Sequence, residues 1–306
     1  MRVIYRGDLD GVVCATILMD LGLCDKLVQI HPKDMQDGKV DVTSEDIICN
    51  LPYHPNCNMW FDHHSSEIDR TELPADFKGL VDVAPSAAGL VYKYFLTEHP
   101  ELGKYDQLVH DTDLVDSANL SMNQVKNPTG AVLLGFLLDP RTGLGLIHDF
   151  AISNYQWVSQ VPELLTKHSV GEILEMSDSQ ERIRKYHEMQ KEAGEFYSEN
   201  SHLDGNVILT DVRGKKIPPA NRFLIYTLPG LDRGNISVRI ADGKKGEFDT
   251  ISVAHSIFVR TSTVDAGKLC MKHGGGGHKG AATCQPSLKE SDRVLREIVE
   301  ACRESG

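Results

Sequence analysis

The sequence predicts an α/β protein built as two lobes. A parallel-sheet domain spans residues 1–170, a helical linker spans 171–202, and a smaller mixed-sheet α/β domain spans 203–306. Three observations predict this. In the first half, short apolar runs bounded by turn residues alternate with segments of helical spacing, the pattern of a mostly parallel sheet. Residues 171–200 are polar, with Ile173, Leu174, Met176, Ile183, Tyr186, Met189 and Phe196 at helical spacing, as in an exposed helix joining two domains. Just beyond it the charge changes sign: residues 1–202 hold 16 Lys+Arg against 32 Asp+Glu, a net of −16, and residues 203–306 hold 16 against 12, a net of +4.

In chain order, Val3-Ile4-Tyr5 reads as a first strand and Val12 to Leu21 as a helix. The turn between them, Arg6-Gly7-Asp8-Leu9-Asp10-Gly11, carries two carboxylates that can converge at a strand tip, with Gly11 permitting tight entry into the helix. On its own an Asp here is more often a helix N-cap than a ligand. Lys26–Ile30, Asp46–Cys49, the run ending at Phe61 and Gly79–Val81 read as the next four strands. The fourth ends in Phe61-Asp62-His63-His64-Ser65-Ser66, a carboxylate and two imidazoles where parallel sheets collect ligands. Pro85 starts a helix through Phe95, and a helix from Tyr105 carries Asp111, Asp113 and Asp116, of which Asp113 and Asp116 share a face. Gly130–Leu138 and Ile147–Val161 read as apolar core helices.

The second domain opens on a strand at Val207–Thr210, followed by a helix starting near Pro219 and strands at Asn235–Ile240 and Thr250–Ala254. Its landmark is His273-Gly274-Gly275-Gly276-Gly277-His278-Lys279. Four glycines let backbone amides face an anion, and His278 and Lys279 add donors. The spacing is neither that of a Walker loop nor that of a dinucleotide fingerprint.

The longest apolar run, Ala131–Leu138, is far too short to span a bilayer, and no signal peptide is seen, so a cytoplasmic protein with no membrane partner is expected. The 7 cysteines contain no C-x-x-C pair, which argues against a disulfide framework and a thiolate zinc site. Carboxylates with imidazoles suit manganese, iron or zinc above magnesium. A metal held there points to a phosphoester hydrolase, because it would activate water and neutralise a phosphate oxygen.

Asp8-Leu9-Asp10-Gly11, Asp62-His63-His64, the Asp113/Asp116 pair and Gly274-Gly275-Gly276-Gly277-His278 occur in the order found in the DHH phosphoesterase family with its DHH-associated C-terminal domain, which the whole chain resembles. The resemblance implies an active-site cleft between the two lobes, with the metal-binding catalytic domain at 1–170, and a divalent metal cofactor, manganese first, with magnesium, cobalt or zinc as alternatives. It implies Asp8 on a first metal, and Asp10, His63 and an Asp of the 111–116 cluster, Asp113 by its setting, on a second. It further implies Asp62 orienting the neighbouring imidazole, His64 on the scissile phosphate, and His278 with the glycine amides on another phosphate; Arg222, Arg239 and Arg260 are phosphate or base candidates.

Two positions depart from the family pattern. Arg6 stands where a His is usual, and Asn50 where the second motif has a bridging Asp. Both changes deplete the first metal site, so one firmly held metal is expected, with Arg6 supplying a fixed charge to the phosphate. A long nucleic acid needs a broad basic track, which a chain at −12 lacks. The expected substrate is therefore a short linear oligoribonucleotide, dinucleotides such as pGpG above all, cut to 5′ mononucleotides. Polyphosphate or pyrophosphate hydrolysis and non-catalytic nucleotide binding are the alternatives, and a homodimer is the assembly to test.

Overall fold

A computed structural model describes residues 1–243 and 246–304. They divide into two compact units: Met1–Asn119 with Pro128–Tyr186, and Leu120–Asn127 with His187–Gly306.

The first unit runs β1 (Arg2–Arg6), α1 (Leu9–Asp20), β2 (Lys26–Ile30), α2 (Pro32–Gln36), β3 (Asp46–Cys49), β4 (Met59–Asp62), α3 (Ser65–Arg70), β5 (Gly79–Val81), α4 (Ala87–Leu96) and α5 (Asp106–Asp116). After α6 (Met122–Lys126), which belongs to the other unit, come α7 (Gly130–Leu138), α8 (Asn154–Lys167), α9 (Val170–Glu175) and the start of α10 (Ser177–Asn200). The strands form one parallel sheet in the order β2-β1-β3-β4-β5. Strand order reverses between β1 and β3, so their carboxyl ends open a crevice, and open α/β sheets bind ligands there. Ile4, Ile48 and Trp60 fill one face of the sheet together with Met35 and Leu51. On the other side α1 is covered by α4, α5 and α8, and its residues Leu9 through Leu18 are all buried. A helix apolar all round is a core helix. The carboxylates at its amino end therefore start from a buried position.

The second unit continues with the rest of α10, then β6 (Ser201–Asp204), β7 (Val207–Asp211), β8 (Ile236–Asp242), β9 (Asp249–His255), α11 (Ala266–Met271), β10 (Gly276–His278), β11 (Ala281–Cys284) and α12 (Ser291–Arg303). Its mixed sheet has the order β10-β11-β9-β8-β7-β6, parallel only between β7 and β8. Val238, Val253 and Ala282 lie side by side across it and pack with Ile298 and Val299 of α12.

Three expected elements differ. The helix expected over Ile147–Val161 begins at Asn154, where Ser153 and Gln156 form a capping box, and runs on to Lys167. The helix expected near Pro219 is a single 3-10 turn, Leu224–Thr227. The segment 171–200 is two helices, broken at Met176, whose extended backbone cannot continue a helix. All 7 cysteines are free, and among the described residues no helix is long and apolar enough to cross a membrane.

Candidate metal centre and phosphate-binding elements

The β1–α1 turn sets the first two carboxylates. Asp8 caps α1, its Oδ1 accepting the Gly11 amide at 3.1 Å. A Cβ on Gly11 would lie 2.0 Å from the Arg6 carbonyl oxygen, so only glycine lets the helix start this close to the strand. The N-cap reading of Asp8 is thus correct as far as it goes, but the cap is buried at 7% exposure and lies among other functional groups. Arg6 Nε reaches Asp8 Oδ2 at 2.8 Å, and Asn50 Nδ2 donates to Asp8 Oδ1 at 3.1 Å. Both oxygens of Asp8 are therefore held by donors of the protein.

Asp10 points to the amino end of α4, accepting the amides of Ala87 at 3.0 Å and Ala88 at 2.7 Å. A carboxylate is favoured there by the unpaired amides and the helix dipole. Burial and the charge of Asp116 nevertheless push its pKa up to about 7, against the pull of His63.

His63 and His64 leave β4 in opposite roles. His63 Nδ1 faces the Ala84 carbonyl oxygen at 3.0 Å, which assigns the ring proton to Nδ1 and turns Nε2 inward. Nε2 lies 3.2 Å from Asp116 Oδ2 and 3.6 Å from Asp10 Oδ2, yet it is buried with no hydrogen-bond partner. His64 Nδ1 lies 2.7 Å from Asp62 Oδ1, and its side chain is 37% exposed. Asp62 thus orients His64, and the Ala84 carbonyl orients His63. The hydrogen bond to Asp62 raises the His64 pKa, outweighing burial.

One atom each from Asp10, His63 and Asp116 lie within 4.8 Å of one another. Asp62, His63 and His64 also meet that spacing, but there Asp62 Oδ1 is bonded to His64, and His63 Nδ1 to Ala84. The orphaned Nε2 between two carboxylates makes the first group the one that fits a divalent cation, and the mixed N and O donors suit manganese. The expectation of Asp113 as the Asp ligand is not what the geometry favours. Asp113 Oδ1 accepts the Ser86 hydroxyl at 2.5 Å, while Asp116, one turn on, reaches His63. Asp111 accepts from Gln107 on its own helix.

Protonation of His63 competes with a cation for the same place. Burial lowers the His63 pKa, but the facing carboxylates of Asp116 and Asp10 raise it to about 10. Burial likewise pushes Asp116 up, and His63, Arg6 and His64 more than offset this and hold it low. A cation must displace the proton on His63 and any on Asp10, so its affinity rises with pH through neutrality. Calorimetric titrations of manganese in buffers of different ionisation enthalpy should show proton release on binding; a pH-independent affinity would contradict this.

In the second unit the glycine stretch is half of a hairpin. Gly276, Gly277 and His278 pair with Thr283, Ala282 and Ala281. The amides of Gly274 and Gly275 donate to the carbonyls of Met271 and Cys270, so the expected four-amide anion cradle loses these two. The glycines serve close approach instead: a Cβ on Gly275 would meet the Thr283 carbonyl at 2.2 Å, and one on Gly277 the Ala281 carbonyl at 2.5 Å. His278 and Lys279 are exposed, and among the described residues they show no side-chain hydrogen bond or ion pair. The ladder registers line Gly276, Thr283, Ser252, Arg239, Thr210 and Ser201 in one polar row across the sheet. Arg239 in that row touches the Tyr197 hydroxyl at 3.3 Å. Arg222 stacks over Phe223, and Arg260 donates to the Ile257 carbonyl, both on exposed loops.

Among solved structures the chain is similar to PggH, a pGpG-specific phosphodiesterase from Vibrio cholerae, with 35% identity over 100% of this chain and 99% of that one and a TM-score of 0.84. The chain belongs to the DHH phosphoesterase family. RecJ from Thermus thermophilus in complex with Mn2+ shares 14% identity over 98% of this chain and 52% of its own, with a TM-score of 0.55. An exonuclease RecJ bound to manganese shares 14% over 99% and 90%, with a TM-score of 0.52. At those identities the likeness is one of fold, and this DHH chain has the same parallel-sheet domain followed by a C-terminal domain. No protein-family model matches the sequence, and no curated protein does.

Proposed function

We propose that this protein is a metal-dependent phosphodiesterase that hydrolyses short linear dinucleotides, pGpG above all, to 5′ mononucleotides, with manganese as its ion and the cytoplasm as its setting. The observation that carries this reading is the Asp10–His63–Asp116 cluster with its orphaned imidazole nitrogen, in a chain that matches a pGpG-specific phosphodiesterase from end to end.

Asp10, His63 and Asp116 would hold the cation. When bound it would lower the pKa of water and offset charge on the phosphate. Arg6, fixed by Asp8, adds a permanent positive charge where a second cation would otherwise be needed. The hydrogen bond to Asp62 favours the protonated form of His64, whose outer Nε2–H would donate to a phosphate oxygen. The exposed His278 and Lys279, with Arg239 on the polar row, are the donors for a terminal phosphate. A substrate with few phosphates suits a protein of net charge −12.

The deciding experiment is a chromatographic screen of all dinucleotides beside polyphosphate, with manganese present. Mononucleotide release from pGpG is expected. Phosphate release from polyphosphate alone would replace this reading, and nucleotide binding without turnover in manganese, magnesium, cobalt and zinc would make the protein a sensor.

A further inference from the structure

We infer that Arg141 is a second phosphate-binding guanidinium of the same site, contacting a non-bridging oxygen of the scissile phosphate from the side of α7; this rests on the phosphodiesterase reading above. Nothing in its sequence setting, Asp139-Pro140-Arg141, marks it, because helix packing alone brings it to the site. On α7, Gly135 has no side chain, and a Cβ there would lie 3.1 Å from both Leu9 Cδ2 and Val115 Cγ1. Leu9 lies between Asp8 and Asp10, and Val115 precedes Asp116. Asp139 follows one turn after Gly135 on the same face, its amide bonded to the Gly135 carbonyl at 2.9 Å. The end of α7 is thereby aimed at the carboxylate cluster.

Asp139 then fixes the arginine. Its Oδ1 accepts the Arg141 amide at 2.9 Å, and Arg141 Nε reaches Oδ1 at 2.7 Å and Oδ2 at 3.0 Å. With Nε so bound, the two terminal nitrogens have no partner among the described residues, and the side chain is 44% exposed against 15% for Asp139. Burial lowers the Arg141 pKa, and Asp139 first, then the charges of Asp8 and Asp116, more than offset this, so the guanidinium feels the field of the cluster. A planar fork with both terminal nitrogens open is suited to a phosphate. Asp139 is a positioning residue, holding the fork without touching substrate.

The test compares wild type with Arg141→Ala, Arg141→Lys and Asp139→Asn in three readouts: pGpG kinetics, calorimetric binding of inorganic phosphate to the manganese-loaded protein, and manganese affinity. For Arg141→Ala, kcat/KM should fall by about 100-fold and phosphate binding should weaken by about 10-fold. Manganese affinity should hold or tighten slightly, since a nearby positive charge is gone. Arg141→Lys should recover part of both losses, and Asp139→Asn should cause a smaller loss of phosphate binding. Wild-type phosphate affinity and kinetics in Arg141→Ala would overturn the inference, as would a loss of manganese affinity matching the loss of activity, the mark of a structural role. Absence of pGpG turnover in the wild type would instead sink the phosphodiesterase reading, with phosphate binding still deciding the role of Arg141.

Discussion

His63→Ala is expected to abolish pGpG turnover, by at least about 1,000-fold in kcat/KM, and to weaken manganese binding by at least about 100-fold, because even partners one shell out cost 10–100-fold when lost. The reason lies in the ring's two nitrogens. Nδ1 is fixed by the Ala84 carbonyl, so Nε2 is committed to the space between Asp10 and Asp116, where it is buried without a hydrogen bond. Removing it leaves two carboxylates that repel each other without the one side chain that faces both; of the two, Arg6 and His64 act only on Asp116. His64→Ala provides the contrast. Its Nδ1 is held by Asp62, and it stands outside the Asp10–His63–Asp116 group. Turnover should drop while manganese still binds near wild-type strength. Elemental analysis beside steady-state kinetics reads both variants. Turnover retained in His63→Ala would show that the chemistry lies elsewhere, and equal metal loss in both variants would show that the two imidazoles ligate together.

The two histidines could be assigned different roles only after folding, and this marks where the sequence stopped being legible. The five parallel strands could be read because each is a short apolar run closed by turn residues, and a buried parallel sheet tolerates little else. The β1–α1 turn and the carboxyl end of β4 were legible for the same reason: polar groups at the tip of a buried strand stand out. Helix starts were less secure. Ser153 with Gln156 is a capping box that outweighs the apolar residues preceding it, and α8 accordingly starts later than its apolar spacing implied. Asp113 and Asp116 share a helix face, so spacing could not choose between them; in the folded chain Asp113 engages the Ser86 hydroxyl while Asp116 faces His63. The glycines were legible as special, but the close approach of β11 that Gly275 and Gly277 permit was not. Arg141 could not be found at all from local sequence, because its relation to Asp8 exists only through the packing of α7 on Leu9 and Val115.

Arg6 and Asn50 yield the last expected result, a gain of function in metal content. Wild type should carry one stoichiometric manganese ion per chain, and the double variant R6H/N50D should carry two. In the wild type both oxygens of Asp8 are occupied, Oδ2 by Arg6 Nε at 2.8 Å and Oδ1 by Asn50 Nδ2 at 3.1 Å. A cation arriving there would meet a fixed positive charge and an amide donor already engaged with the carboxylate. Burial raises the Asp8 pKa, and the charge of Arg6 opposes that rise without cancelling it. Asn50 adopts φ 54, a conformation that Asn and Asp both tolerate, and its Oδ1 is buried without a partner. N50D therefore needs no backbone change and turns a donor into a second anion beside Asp8. Alone it should bind no second ion, because Arg6 still neutralises the pair; R6A alone should lose stability by leaving Asp8 buried without its cation. Only the two changes together offer a neutral imidazole and two carboxylates, a donor set that suits manganese. Two ions in the wild type would refute the replacement of a metal by Arg6, and a single ion in the double variant would mean that the pocket around Asp8 excludes a cation for reasons other than charge.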